Sequence, residues 1–406
     1  MQTTLSPQHQ QQPEAREAAS LIQACVHCGF CQATCPTYQL LGDERDSPRG
    51  RIHLIKQLLE GQPVSGQTQL HLDRCLTCRA CETACPSGVQ YGRLVELGRS
   101  VLVQQQPRPW RQRVLRRALA DVLTSGWFGP AAAVGRWFRP LLPQRLREHL
   151  PPRPAPGDWP RRTHARQVLL LAGCVQPALA PRINAATARV LDALGIGTRM
   201  IREAGCCGAI HQHLDATEKA RDAARRNVDA WWPAIEQGVE AIVANTSGCG
   251  SMLRDYGQLL RDDPHYATRA ARVAALVRDL CEVVAPQAAA LAARLSPPSA
   301  PRVVFQAPCS LQHAQRIRGT VETLLVSLGA QLQPAGDAAL CCGAAGTYAL
   351  LQPTLSAQLR ARKQAALGAG QPQVILSANL GCLLQLSVGA AVPVRHWVEW
   401  VDERLA

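Results

Sequence analysis

The chain has 406 residues, 17 of them Cys, and a formal net charge of +14. That length suits two or three domains with ordinary cores and removes any need for disulfide staples. The sequence lacks an 18-residue apolar run and, from Met1 to Ser20, any basic-then-apolar leader, which excludes a membrane-spanning helix and a secretory signal as expectations.

Thiols of such a chain are expected to stay reduced in the cytoplasm and to act as metal ligands or redox groups. Their distribution divides the sequence. Eight Cys lie from Cys25 to Cys85, none falls between Cys85 and Cys174, and nine run from Cys174 to Cys382. The expected organisation is a front module at 1–106, a linker at 107–166, and two back modules at 167–295 and 296–406.

The front module reads Cys25-Val-His-Cys28-Gly-Phe-Cys31-Gln-Ala-Thr-Cys35-Pro36. The pattern recurs 50 residues later as Cys75-Leu-Thr-Cys78-Arg-Ala-Cys81-Glu-Thr-Ala-Cys85-Pro86. This is the C-x₂-C-x₂-C-x₃-C-P run of bacterial two-cluster ferredoxins. Three thiolates on one tight turn reach three iron corners of a cubane. The fourth starts a segment pointing away and reaches the neighbouring cluster. The expected ligand sets are therefore Cys25, Cys28, Cys31 and Cys85 for one [4Fe–4S] cluster, and Cys75, Cys78, Cys81 and Cys35 for the other. Zinc on paired C-x₂-C knuckles is the competing reading, but it leaves the third and fourth Cys of each run unexplained. Gly29 permits close backbone approach to sulfide. His27 reads as a neighbour of the cluster, since four Cys already serve it. Between the runs, Ile52 to Glu60 has helical periodicity. Arg49 and Arg51 either offset cluster charge or sit solvated on the surface.

Residues 107–166 hold 13 Arg, no Lys and 3 acids, so this stretch carries +10 of the net charge. It also holds Trp110, Trp127, Trp137, Trp159, Phe128 and Phe138, and a proline cluster over Pro151–Pro156. Arg with Trp suits a lipid headgroup region or an acidic protein surface. The plainer reading is a connector whose aromatic rings pack on the flanking modules. No nucleic-acid motif accompanies the charge, so no nucleic-acid partner is expected.

The back modules repeat one pattern. Val168-Leu-Leu-Leu-Ala-Gly-Cys174, Gly205-Cys206-Cys207-Gly208 and Asn245-Thr-Ser-Gly-Cys249 match Val303-Val-Phe-Gln-Ala-Pro-Cys309, Leu340-Cys341-Cys342-Gly343 and Ala378-Asn-Leu-Gly-Cys382. Each copy reads as strand, Cys, helix, strand, Cys-Cys-Gly, helix, strand, Cys. Val168–Leu171, Ile242–Ala244, Val303–Phe305 and Val374–Leu376 suit buried parallel strands. Ala185–Leu194 and Val321–Leu328 read as crossover helices, ending at Gly195 and Gly329. Every repeated Cys then falls at the carboxyl end of a strand, where open α/β sheets bind ligands. The expected fold class is α+β/α: a helical ferredoxin-type domain followed by two α/β Cys-Cys-Gly domains. Cys174, Cys206, Cys207, Cys249, Cys309, Cys341, Cys342 and Cys382 are candidates for a further cluster or a redox-thiol site. Cys281 lies outside the pattern and reads as a core or surface residue.

The chain resembles the iron–sulfur subunit of bacterial glycolate oxidase (glycolate dehydrogenase) over almost its whole length. The stretches that carry the resemblance are Cys25-Val-His-Cys-Gly-Phe-Cys31, Leu72-Asp-Arg-Cys-Leu-Thr-Cys78, Asn184-Ala-Ala-Thr-Ala-Arg-Val190, Asp229-Ala-Trp-Trp-Pro-Ala-Ile235, Cys341-Cys-Gly-Ala-Ala-Gly-Thr-Tyr-Ala349 and Val394-Arg-His-Trp397. It implies a complex in which flavin-bearing partner subunits, carrying FAD, oxidise glycolate to glyoxylate. This chain would accept the electrons singly and relay them toward a quinone, as a cytoplasmic subunit peripheral to the inner membrane. The Cys pattern alone is similar to that of lactate-utilisation and anaerobic glycerol-3-phosphate dehydrogenase subunits and of heterodisulfide reductase B-type subunits. In the last of these each copy ends in Cys-x-x-Cys. Here Thr246 and Asn379 replace the first Cys of that pair, so each copy offers four Cys, enough for an ordinary cluster or for none. A thiol–disulfide reductase and a scaffold held together by its clusters are the alternatives to the electron-transfer role. No flavin or nicotinamide fingerprint and no nucleophile–base pair stands out, so the expected catalytic residue set on this chain is empty.

Overall fold

The computed structural model describes residues 1–141, 147, 150, 155–296 and 301–405. The front module is helical: α1 (Pro13–Gln23), α2 (Pro36–Leu41), α3 (Pro48–Leu59), α4 (Gly66–Asp73), α5 (Ala80–Thr83) and α6 (Tyr91–Gln105). α1, α2 and α3 begin with Pro in the first turn, where its missing N–H costs nothing. Ser47 caps α3 by accepting from Gly50 N at 2.9 Å. This helix starts four residues before the predicted Ile52, because the cap and Pro48 nucleate it upstream of the apolar periodicity.

The apolar stripes of α1, α3 and α6 meet in one core containing Ile22, Ile55, Leu58 and Leu94, all fully buried. Each such side chain contributes about 1.5–3 kcal/mol. Gly98 makes the α3–α6 contact possible, since a Cβ there would stand 2.6 Å from Ile55 Cγ1. Cys25, Cys75 and Cys81 sit in this same core, so the ligand turns are anchored by packing.

Two parallel sheets follow. β1 (Arg166–Leu170), β2 (Ile196–Arg199), β3 (Ala241–Ala244) and β4 (Val277–Asp279) lie in the order β2-β1-β3-β4. β5 (Arg302–Gln306), β6 (Gln331–Gln333), β7 (Val374–Ser377) and β8 (Val394–His396) repeat it as β6-β5-β7-β8. The crossover helices span Arg182–Ala193 and Thr320–Ser327, each stopped by a positive-φ glycine (Gly195 at 72°, Gly329 at 86°). Ile183, Val243 and Leu280 of the first repeat share a core with Val303, Phe305, Leu324 and Trp397 of the second.

The two repeats meet head to head at the carboxyl ends of β3 and β7. Ser247 N donates to Ala378 O at 3.1 Å, and Gly248 N to Asn379 Oδ1 at 3.1 Å. Both ends carry a ligand-type Cys, so the fold brings two Cys-Cys-Gly sites to one seam.

The connecting stretch folds as α7 (Trp110–Thr124) and α8 (Phe128–Trp137). Its basic residues divide into two groups. Arg108, buried, and Arg116, half-buried, are staples: Arg108 Nη2 bonds Asp73 Oδ1 and Asp215 Oδ2, both at 2.8 Å, and Arg116 Nη2 reaches Asp73 Oδ2 at 3.0 Å. Arg111, Arg113 and Arg117 are exposed. The aromatic residues divide likewise. Trp159 packs on the shared back core and Phe128 on Ala178 and Leu179, as a connector requires. Trp110, Trp127, Trp137 and Phe138 remain 64%, 80%, 88% and 55% exposed. The first four residues of the proline cluster, Pro151–Pro154, lie outside the described residues.

Candidate functional site

The two ligand turns have the same backbone. His27 and Gly29 take φ of 61° and 86°; Thr77 and Arg79, each 50 residues on, take 51° and 59°. Left-handed φ at β-branched Thr77 and bulky Arg79 is strained by about 1–3 kcal/mol each and persists only where the surroundings demand it. The effect is to curl each turn around a concave space with its sulfurs inward.

Two small cavities result. Cys25, Cys28, Cys31 and Cys85 line the first, with His27 and Arg49 on its wall. Cys35, Cys75 and Cys78 line the second with Arg51. Cys81, Pro48 and Tyr91 border both, so the cavities are neighbours. Each turn thus contributes its last Cys to the space enclosed by the other turn.

Burial pushes the Cys31 thiol up to about 11 and raises Cys78 and Cys81 further. A thiolate is unfavourable in such a place unless a cationic centre joins it. Arg51 is one such charge. Its side chain is 1% exposed, with Nε donating to His71 O at 2.7 Å and Nη2 to Thr37 Oγ1 at 3.1 Å and Asp46 Oδ1 at 3.2 Å. Its Nη1 approaches Cys35 Sγ at 3.9 Å. Burial alone would lower its pKa, but Cys75, Tyr91, Cys35 and Asp46 together raise it above the usual guanidinium value. Arg49, by contrast, is a rim residue paired with Glu44 at 2.8 Å. Of Arg49 and Arg51, Arg51 is the one placed to offset charge. Replacing it as Arg51→Met is expected to destabilise the front module by about 3 kcal/mol, because Asp46 loses a partner in a site closed to water. It should also move the potential of a cluster on the second turn in the negative direction. Denaturant unfolding and a redox titration of the anaerobic chain measure both, and wild-type values in the two would remove Arg51 from this role.

In the back modules the Cys-Cys-Gly turns also share one geometry. Gly208 N donates to Cys206 Sγ at 3.4 Å, and Gly343 N to Cys341 Sγ at 3.4 Å. Gly208 and Gly343 have φ of 91° and 88°. A Cβ on Gly208 would stand 3.1 Å from Ala220 O, and one on Gly343 2.8 Å from Ser356 O. The glycine of the motif is thus dictated by φ and by the helix packed against it.

The two sites differ in their surroundings. Cys309 and Cys341 are 3.9 Å apart (Sγ–Sγ), and they share an apolar cluster with Cys78 and Tyr348. Tyr348 Oη donates to Arg74 O at 3.2 Å and Thr83 Oγ1 bonds His313 Nδ1 at 3.0 Å, which clamps the second repeat on the front module. Lys363, 2% exposed, donates from Nζ to Asp337 O at 2.6 Å; burial lowers its pKa, and the charges of Cys342, Cys341 and Cys382 work against that shift. Cys174, Cys206, Cys207 and Cys249 instead line a cavity of about 530 Å³ between the repeats. There the Cys206 thiol is pulled below its usual value by hydrogen bonds from the Cys174 and Cys207 thiols and from Gly208 N–H. Cys281 is fully buried in the shared back core.

Residues 21–89 match the 4Fe-4S dicluster domain family, and residues 168–254 and 303–387 each match the Cysteine-rich domain family. The chain is 50% identical to the glycolate oxidase iron-sulfur subunit of Escherichia coli strain K12, over 100% of this chain and 99% of that protein. The chain belongs to the glycolate oxidase iron–sulfur subunit family. A probable glycolate oxidase iron-sulfur subunit of Bacillus subtilis strain 168 is 31% identical over 90% of this chain and 88% of its own length. Lactate utilization protein A of Bacillus pumilus is 25% identical over 59% of this chain and 100% of its own length.

Membership in a family with a dicluster domain decides for iron–sulfur over zinc. The donor sets of this family member fit that cofactor: eight Cys in two sulfur-lined cavities, with a buried guanidinium beside them. In the second repeat, buried Lys363 fits an anionic centre on its four Cys. Three features of the site have no signal in the spacing of the cysteines. These are the contact of Cys78 with Cys309 and Cys341, the burial of Lys363, and the cavity of the first repeat.

Proposed function

We propose that this chain is the electron-transfer subunit of a glycolate-oxidising complex, taking electrons singly from flavin-bearing subunits and relaying them toward a quinone. The observation that carries the reading is the pair of adjacent sulfur-lined cavities, one bordered by exposed Cys28 and the other packed on Cys309 and Cys341. On this reading Cys25, Cys28, Cys31 and Cys85 hold one [4Fe–4S] cluster, and Cys75, Cys78, Cys81 and Cys35 the other. Bound clusters supply one-electron redox chemistry. The chain's residues do the rest. The left-handed turns aim the sulfurs, Arg51 compensates charge, and the α1–α3–α6 core excludes water. The eight Cys of the two repeats extend the relay in four-Cys sites. The modules are 1–106, 107–166, 167–295 and 296–406.

Electrons arrive at the first turn, where Val26 and Phe30 are 68% and 65% exposed on either side of Cys28. Such an apolar rim suits docking of a flavoprotein that must bring its cofactor close. They leave inward, past Cys78. The test is to assemble the chain with its flavin subunits, add glycolate without air, and record electron paramagnetic resonance. Reduced-cluster signals are expected. Clusters that respond to dithionite and stay silent with glycolate would sink the reading.

The same proposal places the chain on a membrane surface through α7 and α8. No described helix is long and apolar enough to cross a membrane. The exposed arginines of α7 and the exposed tryptophans nevertheless form the Arg-plus-Trp surface that anionic headgroups attract. Replacing Arg111, Arg113 and Arg117 together with Gln is expected to weaken vesicle binding by about 3 kcal/mol, at about 1 kcal/mol per charge. Arg116 is left in place because it staples Asp73. Co-sedimentation with vesicles containing phosphatidylserine measures this, and unchanged binding would restrict α7 and α8 to a connecting role.

A further inference from the structure

We infer that the cavity between the two Cys-Cys-Gly repeats binds a lipid-soluble quinone, which is reduced there against the sulfur-ligated centre of the first repeat. The inference rests on the relay proposed above and names its outlet.

The first argument is size. The front cradles leave cavities of about 30 Å³ and 20 Å³ around five and four cysteines. The first repeat leaves about 530 Å³, inside the range of small-molecule sites. Most of that space is additional to what a four-Cys centre needs.

The second argument is chemistry. Cys174, Cys206, Cys207 and Cys249 form one end, and Leu123, Phe128, Leu179, Ile210, Leu350 and Leu384 form walls. In a chain with 44 Lys and Arg, none of the described residues lining this cavity is Lys, Arg, Asp or Glu. An anionic nucleotide or a carboxylated disulfide would lie there unpaired, at a cost of several kcal/mol. A neutral quinone meets no such penalty.

A quinone needs a hydrogen-bond donor for its carbonyl oxygen. The cavity wall supplies one in the imidazole of His213.

The third argument is location. Leu123 belongs to α7 and Phe128 to α8; exposed Trp110 and Trp137 lie on these two helices and exposed Trp127 in the turn that joins them. The apolar wall is therefore built by the elements that present a lipid-adapted surface. A quinone dissolved in the bilayer reaches the cavity without crossing water.

The reaction balances. Oxidation of one 2-hydroxy acid on the flavin subunit releases two electrons. They reach the quinone one at a time, two protons come from solvent, both C=O groups become C–OH, and no bond of the ring skeleton breaks.

The experiment uses the assembled complex in detergent or lipid, with a photoreactive azidoquinone and peptide mapping of the label. Label is expected on peptides containing Leu123–Phe128 or Ala349–Leu350, and excess unlabelled short-chain ubiquinone should suppress it. Label confined to the flavin subunits or to other faces of this chain, or not suppressed by competitor, overturns the inference. The variant Ala349→Trp, which fills the cavity from the second repeat, is expected to cut labelling and raise the quinone KM about tenfold or more. A wild-type KM in a variant with wild-type iron content also overturns it. Glycolate-driven reduction of the front clusters in the unmodified complex is read separately. Its absence sinks the relay itself, whereas its presence with label elsewhere sinks only this site.

Discussion

A Cys35→Ser chain is expected to lose the cluster seated on the other turn and to keep the cluster seated on its own. Cys35 follows Cys31 by four residues, yet it lines the cavity of Cys75 and Cys78, while Cys85 lines that of Cys25, Cys28 and Cys31. The two cavities border each other at Cys81 and Tyr91, so local disruption could be mistaken for a global one. The discriminating measurement is iron counting with Mössbauer or paramagnetic resonance spectra on anaerobically purified variants. Of about eight front irons, about four should be lost or degraded, and the survivor should have the spectrum that a Cys78→Ser variant also retains. Cys85→Ser should remove the complementary signal. Electron flow from glycolate to acceptor is expected to fall about 100-fold or more in either variant, because a serial relay with one missing centre has no alternative path. If Cys35→Ser and Cys28→Ser instead lose the same cluster, ligands do not cross and the front module has been misread.

The dicluster character of the front module was legible in the cysteine spacings, and physical constraint explains why. A cubane fixes where its corners lie, so the intervals between ligands are nearly rigid. The repeated α/β order was also legible: β1, β3, β5 and β7 each contain a run of at least three apolar residues, and Gly195 and Gly329 stop the crossover helices. What escaped depends on contacts between distant residues. β4 and β8 have three residues each, too few for a period to show. Arg49 and Arg51 look alike in the chain, but only Arg51 lies on the α3 face that turns toward Cys35. The basic stretch at 107–166 reads as uniform, yet Arg108 and Arg116 are consumed by Asp73 and Asp215. Cys78 and Cys309 belong to modules that only tertiary docking brings together. No local pattern announces a cavity whose walls come from α7, α8 and both repeats.

The second large effect is expected at the glycines of the Cys-Cys-Gly turns, and it should be unequal. Both residues need left-handed φ near 90°, which costs any L side chain about 1–3 kcal/mol. The space around them differs. On Gly208 a Cβ would meet Ala220 O at 3.1 Å and Ala223 Cβ at 3.4 Å, contacts that a small helix shift relieves. On Gly343 it would meet Ser356 O at 2.8 Å and Leu359 Cβ at 2.9 Å. The helix carrying those atoms is pinned in place by hydrogen bonds. Ser356 Oγ donates to Gly343 O at 2.9 Å, Gln385 Nε2 donates to Ser356 O at 3.1 Å, and Lys363 ties it to Asp337. Backing away breaks this network, so Gly343→Ala is expected to cost about 3 kcal/mol or more and Gly208→Ala about half as much. For a module of this size, about 3 kcal/mol lowers Tm by about 10 °C. The Cys341 and Cys342 sulfurs move with the turn, so the second repeat should lose iron before the front module does. Calorimetry of the anaerobic chain alongside iron counting tests the ranking. Equal effects at the two glycines would mean that φ strain alone dictates the motif and that the approach of the helix is incidental.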